Sequence, residues 1–172
     1  MRGMAVAGLA VALMLAMTGN PAAAQWMHLQ GEDDPFAGGV EHTSMTLARH
    51  GEIIGFRCTS AKDLAFLFVS TEKPQADHVA LMSLLTARLL VIIADEPQRE
   101  YVALIDTTPD GDRYRFTALA RTLPELVKAA GAAKRRLAVA VEIKGERVHS
   151  AAVNVRGSGR AIRQLVKGCG LP

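Results

Sequence analysis

Short runs of alternating apolar and polar residues, separated by turn-forming residues, dominate this sequence and constrain its fold. The clearest pair is residues 137–143 and 147–155, which flank a turn at Gly145. Successive side chains of a strand point to opposite faces, so each run can bury one face of a sheet. Residues 63–70 are apolar on both faces, which predicts a central strand. The same pattern predicts two further hairpins and one more strand: residues 43–48 with 52–58, 89–94 with 99–106, and 113–118.

Helix signals are few and short. Thr122 stands three residues before Glu125 as in a capping box, which predicts a helix from about 122 to 130, ended by Gly131. Ser158 is placed to cap a last helix that ends at residues 168–169. Residues 78–88 suit either a helix or irregular structure, and the helix is favoured. So few helices exclude repeated βαβ units, and the chain is predicted to be mainly β, a sandwich-like single domain with short helical insertions and a C-terminal helix.

The first 24 residues have the pattern of a secretory signal peptide. Arg2 is followed by an apolar run over residues 4–17 and by small residues that end at Ala24. The run is too short to span a bilayer, which takes about 20 residues. We therefore expect cleavage near Ala24, a soluble periplasmic protein and one β-rich domain over residues 25–172.

Residues 25–39 mix acids and turn formers around two aromatic side chains, Trp26 and Phe36. This composition predicts an extended, loop-like lead-in that docks these two side chains on the domain. Its acids are interpreted as solvated charge: Glu32, Asp33 and Asp34.

Cys58 and Cys169 are the two cysteines of the chain. Disulfides persist in exported proteins, so the sequence predicts a bridge that ties the last helix to an early strand. The competing reading is a catalytic or metal-binding thiol, which would need a base or further ligands nearby in the fold.

The charge pattern argues against nucleic-acid binding. Without residues 1–24 the chain has 19 basic against 17 acidic side chains, a net charge of about +2, and the two signs alternate along most of the sequence. The exception is a C-terminal tract with no acid after Glu146. Its cations form either the solvated side of a helix, the commoner case, or a functional basic face: Arg147, Arg156, Arg160, Arg163 and Lys167.

Residues with catalytic or metal-binding potential are scattered, and the usual catalytic motifs do not occur. Ser158 lies between two glycines, as an exposed nucleophile would, but helix capping is strongly favoured because it needs only this residue and the sequence places no partner histidine. Asp106, Asp110 and Asp112 could supply oxygen ligands to calcium, but their spacing differs from an EF-hand loop and favours a plain turn. The histidines show no metal-binding spacing: His28, His42, His50, His78 and His149. We therefore assign no catalytic, cofactor-binding or metal-binding residue.

Several features occur in an order that resembles a group of small exported proteobacterial proteins. They are Trp26 followed by an acid and proline at 34–35, the strand end at Cys58, the late hairpin, and residues 153–158 leading through a helix to Cys169. The layout is similar to that of the VasI-like proteins associated with type VI secretion and of the invasion-locus-B-like periplasmic proteins. The resemblance implies a β-sandwich with a terminal disulfide, no known catalytic residues, and protein contacts at the cell envelope.

The leading functional prediction is a non-enzymatic periplasmic protein that contacts an envelope or secretion-associated protein through a sheet edge or a loop face. Contact with a membrane is expected only through such partners, and no cofactor is expected. The alternative is a periplasmic hydrolase or small-ligand-binding protein, in which two or more of the polar residues above converge in a concave site. A purely structural envelope protein is a third reading that the sequence does not separate from the first.

Overall fold

The computed structural model describes residues 25–34, 39–60, 62–70, 86–110 and 113–172. The expected signal peptide, the anchor Phe36 and His78 lie outside these ranges. The described part contains nine strands and two helices: β1 (Met27–Asp34), β2 (Gly39–Leu47), β3 (Ile53–Cys58), β4 (Ala65–Ser70), β5 (Ala87–Ile93), β6 (Arg99–Asp110), β7 (Arg113–Arg121), α1 (Pro124–Ala132), β8 (Arg136–Ile143), β9 (Glu146–Asn154) and α2 (Ser158–Gly168).

The strands form one curled antiparallel sheet in the order β1-β2-β3-β4-β7-β6-β5-β8-β9. The mainly β class and the C-terminal helix are confirmed, but one continuous sheet replaces the two facing sheets of the expected sandwich. The long strand β6 is responsible. Its first half pairs with β5 as far as Ala103, and its second half pairs with β7 from Leu104 onward. The alternation of apolar and polar residues does not show that one strand pairs with a different neighbour in each of its halves.

The predicted hairpins are confirmed as the pairs β2–β3, β5–β6 and β8–β9. Strand β4 is central, between β3 and β7, as its two apolar faces predicted. Two expectations are wrong. The lead-in is a strand, β1, paired with β2. The helix favoured over 78–88 does not extend to residue 88, because Ala87 and Arg88 belong to β5. Residues 78–85 lie outside the described ranges.

The concave, inner face of the sheet carries the hydrophobic core. Four phenylalanines lie at its centre with no more than 1% exposure: Phe56, Phe66, Phe68 and Phe116. His149 of β9 reaches Phe116 across the core, with 4.7 Å between ring centroids. Contact between the last strand of the sheet and its middle shows how far the sheet curls.

The two edge strands meet at their ends. The indole Nε1–H of Trp26, just before β1, donates to the backbone carbonyl of Asn154 at the end of β9, at 3.3 Å. Trp26 is buried and stacks on Phe56. The sequence-based expectation that Trp26 docks on the domain is confirmed.

Helices α1 and α2 pack against each other, with Gly131 at the contact. A Cβ atom at Gly131 would lie 2.8 Å from Cγ2 of Ile162, so this glycine allows close packing and does not end α1 as expected. The predicted caps are also wrong. Leu123 is the N-cap of α1, and Gly157, with φ of 89°, is the N-cap of α2. Ser158 lies inside α2 and donates Oγ–H to the carbonyl of Ala130, which ties the helices together.

A disulfide joins Cys58, at the end of β3, to Cys169, directly after α2. Their Cα atoms are 6.0 Å apart, within the usual range for a bridge. Both cysteines are buried, and the bridge fastens α2 across the inner face of β1, β2 and β3. No helix among the described residues has the length and apolar composition needed to cross a lipid bilayer.

Candidate functional site

A chain of polar side chains lies between the β1–β2 hairpin and α2. His28 is opposite Ser44 in the register of the hairpin, and His42 is the diagonal neighbour of His28. His42 Nδ1 lies 3.4 Å from His28 Nε2, and His28 Nδ1 lies 3.1 Å from Ser44 Oγ. Ser44 donates to the carbonyl of Ala161 in α2 at 2.7 Å. The hairpin therefore holds α2 through a continuous hydrogen-bonded chain.

The donor of each hydrogen bond in this chain follows from the bond between Ser44 and the carbonyl of Ala161. Ser44 has one proton, which the carbonyl of Ala161 accepts, so Ser44 Oγ accepts the Nδ1–H of His28. The Nε2 atom of His28 is then the acceptor for Nδ1–H of His42. Burial lowers the pKa of His28, and the neighbouring His42 lowers it further. His28 is thus arranged as a neutral imidazole.

This arrangement differs from a hydrolytic triad. Ser44 is completely buried and gives its proton to a backbone carbonyl, whereas a nucleophilic serine gives it to a base at a site that substrate can reach. The chain His42–His28–Ser44 therefore acts as a structural link between β1, β2 and α2.

The outer face of the sheet carries a second feature, which we call the outer apolar row. The strand registers align one side chain from each of five strands, with Gly55 of β3 between the second and third: Met27, Met45, Leu67, Leu119 and Leu104. Leu104 is 76% exposed, and the neighbouring Val102 is 71% exposed. A Cβ atom at Gly55 would lie 2.8 Å from Cβ of Met45, so the glycine leaves room for Met45 in the row.

The charges beside the outer apolar row are balanced. Glu41 lies 3.8 Å from Arg57, and Asp63 and Arg121 line the same shallow depression together with Val102 and Leu104. Two further exposed apolar side chains extend the row on β1 and β2: Leu29 and Leu47. An exposed apolar surface that crosses six strands, without an excess of either charge, is typical of a site of protein contact.

The loop after β3 is ordered by one carboxylate. Asp63 accepts hydrogen bonds from the backbone N–H groups of Thr59 and Ser60, and from both of their hydroxyl groups. Burial alone would raise the pKa of Asp63, but these hydrogen bonds outweigh it and lower the pKa. The loop therefore fixes the chain directly beyond Cys58.

The residues singled out by sequence do not converge. Ser158 is buried between the helices. Asp106 and Asp110 belong to β6, so residues 108–110 of the turn expected over 108–112 are part of the strand, and Asp112 lies outside the described ranges. Within the described ranges, no group of three or more His, Cys, Asp or Glu side chains is placed to hold a metal ion. Besides Cys58 and Cys169, which form the disulfide, His28 and His42 are sequence-predicted candidates that the fold brings into contact.

Sequence reasoning missed both the histidine chain and the outer apolar row. The histidine chain depends on the register between β1 and β2, and β1 was taken for a loop. A signal for the row was present in Leu67, since residues 63–70 are apolar on both faces. Comparisons with protein-family models, curated proteins and solved structures gave no match.

Proposed function

We propose that this chain is an exported, disulfide-linked protein of the cell envelope that acts by binding another protein on its outer apolar row. The carrying observation is the row itself, with Leu104 three-quarters exposed at one end and Met27 39% exposed at the other. Six strands spaced about 4.8 Å apart make the row about 24 Å long. A row of this length suits a protein surface better than a small molecule.

The chemistry of the partner follows from that of the row. The row offers thioether and aliphatic side chains, bordered by two carboxylates and two guanidinium groups. A matching surface is apolar at its centre, with charges of both signs at its rim. An envelope or secretion-associated protein with such a surface is the proposed partner.

Export remains part of the proposal. The pattern of residues 1–24 and the disulfide both support it, because bridges persist in oxidising compartments. Fractionation of cells, with mass spectrometry of the mature N-terminus and of Cys58 and Cys169, tests this part separately. A cytoplasmic protein with residues 1–24 retained would contradict it.

The hydrolase alternative has less support. It requires a reactive group that substrate can reach, whereas Ser44 and Ser158 are both buried and donate to backbone carbonyls. A turnover activity that disappears on substitution of one described residue would restore this alternative over the binding proposal.

Crosslinking in intact cells tests the binding proposal. A photoreactive amino acid at Leu119 should crosslink to a small set of envelope proteins, and Leu104→Lys should abolish those crosslinks because it places a charge in the row. Leu104 is mostly exposed, so the variant should fold. Val148→Lys, on the exposed side of β9 and outside the row, is the matched control and should leave the crosslinks intact. Crosslinks that survive Leu104→Lys would refute the proposal.

A further inference from the structure

The C-terminal part of the chain is strongly basic. Residues 134–172 contain nine Lys and Arg against two Glu, a net charge of +7, whereas the whole chain carries +3. The remainder of the chain is therefore net negative, and the charge of the molecule is unevenly distributed.

The fold brings six of these cations to one end of the molecule, which we call the basic face. It consists of Lys134, Arg136, Arg156, Arg160, Arg163 and Lys167, all exposed. Residue 136 pairs with Asn154 in the sheet, and the backbone N–H of Val155 donates to the carbonyl of Arg135. The start of β8 thus lies beside the turn into α2.

The spacing of the last cations places them on one side of α2. Arg160, Arg163 and Lys167 are three and four residues apart, so they point in one direction, while Ala161, Ile162 and Leu165 are buried on the opposite side. Arg156 and Arg160 also line an open groove of about 660 Å³ between α2 and the start of β1, and no carboxylate lines this groove.

The six cations are not neutralised within the described part of the chain. The ion pairs there involve Arg57, Arg88, Arg99 and Arg135, and none of the six. Since α2 contains no acid, the positive charge is presented to whatever lies outside.

We propose that the basic face docks on the surface of a bilayer that contains anionic phospholipid. Protein interfaces depend on buried anchors, often aromatic, set in pockets. The exposed large apolar side chains of the described residues lie outside α2, although Met27, 39% exposed, lines the groove beside Arg156 and Arg160. Long cationic side chains along the exposed side of a helix suit diffuse attraction to many phosphate groups, with the helix lying on the headgroups.

The proposal departs from the expectation that the protein meets a membrane only through partners. The outer apolar row lies mostly on the other side of the sheet from α2, and the two surfaces meet at Met27, which lines the groove beside Arg156 and Arg160. The anionic surface would concentrate the protein at a membrane, where partners of the row are embedded or attached.

Vesicle co-sedimentation of the purified, oxidised, mature protein tests this proposal. We expect binding to phosphatidylcholine vesicles that contain phosphatidylglycerol, and little binding to phosphatidylcholine alone. Each cation near an anionic surface contributes about fivefold to partitioning, so R160Q/R163Q/K167Q should weaken binding about a hundredfold. Raising the salt concentration from about 0.1 M to about 1 M shortens the Debye length from about 10 Å to about 3 Å and should release the protein.

The matched control, R49Q/K62Q/R121Q, removes three exposed cations elsewhere on the protein. Its loss of vesicle binding should be at least tenfold smaller than that of R160Q/R163Q/K167Q. Equal losses in the two variants would show a response to net charge alone and would overturn the basic face. Failure to bind phosphatidylglycerol vesicles at low salt would overturn the lipid assignment, and an effect of R160Q/R163Q/K167Q on crosslinks in cells would then point to an acidic protein. Leu104→Lys should bind vesicles normally, so the two proposals fail separately.

Discussion

The α-carbon of Gly168, the last residue of α2, lies against the imidazole ring of His42. A Cβ atom at this position would come within 2.5 Å of Cγ of the ring, closer than non-bonded carbon atoms approach. The ring is held in place by its contact with His28. The end of α2 can therefore approach β2 only because residue 168 has no side chain.

Gly168→Ala should consequently lower the free energy of unfolding by about 1 to 3 kcal/mol, since α2 or the ring must move. Gly159→Ala in the same helix is the control. Its Cβ atom would have ordinary contacts of 3.4 and 3.5 Å, and alanine favours helix, so we expect a gain of up to about 1 kcal/mol. Urea titration of both oxidised variants measures the difference, and a loss as large for Gly159→Ala would contradict this account.

Stability should decrease as the pH falls through the range in which histidine titrates. The pKa of His28 is lower in the folded protein than in the unfolded chain. Below about pH 6.5 the unfolded chain therefore binds a proton that folded His28 takes up only at lower pH, and unfolding is favoured. We expect His28→Gln to reduce the loss of stability between about pH 7 and pH 5.

Unfolding in urea at a series of pH values provides the measurement. A slope that is the same in His28→Gln and in the unaltered protein would show that His28 does not contribute it.

Asp63→Asn should destabilise the protein by about 1 to 3 kcal/mol near neutral pH, because hydrogen bonds to a charged acceptor are stronger than those to an amide. The lowered pKa of Asp63 means that its contribution is present above the ordinary carboxylate pKa and is lost as the pH falls through the folded value. Asp95→Asn is the control, since Asp95 lies in an exposed ion pair with Arg135 that should contribute little. Thermal unfolding at pH 7 and at acidic pH provides the measurement. The stability of Asp63→Asn should approach that of the unaltered protein at acidic pH, whereas Asp95→Asn should differ little from the unaltered protein at either pH.

Replacement of both Cys58 and Cys169 by serine should lower the free energy of unfolding by about 2 to 4 kcal/mol. The bridge spans 111 residues, so it removes much conformational entropy from the unfolded chain. Reduction of the unaltered protein should have nearly the same effect as the double substitution. If reduction leaves the free energy of unfolding of the unaltered protein unchanged, the bridge does not stabilise the fold.

Local patterns predicted the strands well and the contacts between distant elements poorly. The run around Leu67 specified a central strand because its two apolar faces are visible within six residues. By contrast, Gly131 gave the signal for a helix end, yet it lies inside α1 because Ile162 needs the space. Thr122 and Ser158 likewise gave capping signals, but the backbone N–H of Thr122 donates to the carbonyl of Leu64 and the hydroxyl of Ser158 donates to the carbonyl of Ala130.

The candidate surfaces were predictable only in part. The sequence showed that the cations after Glu146 lack neighbouring acids, and it placed three of them on a helix. It could not show that residues 134 and 136 join them, because that depends on the pairing of β8 with β9. Prediction of the outer apolar row would require the pairing registers of six strands, and composition determines none of these registers.

The position of the bridge also sets an order of events as the chain is made. Cys58 emerges with β3, whereas Cys169 follows only after β4 to β9 and both helices have been synthesised. During that interval Cys58 is an unpaired thiol, and the inner faces of β1 and β2 lack the helix that covers them. The inner faces of the first hairpin therefore stay uncovered until the last helix has been made.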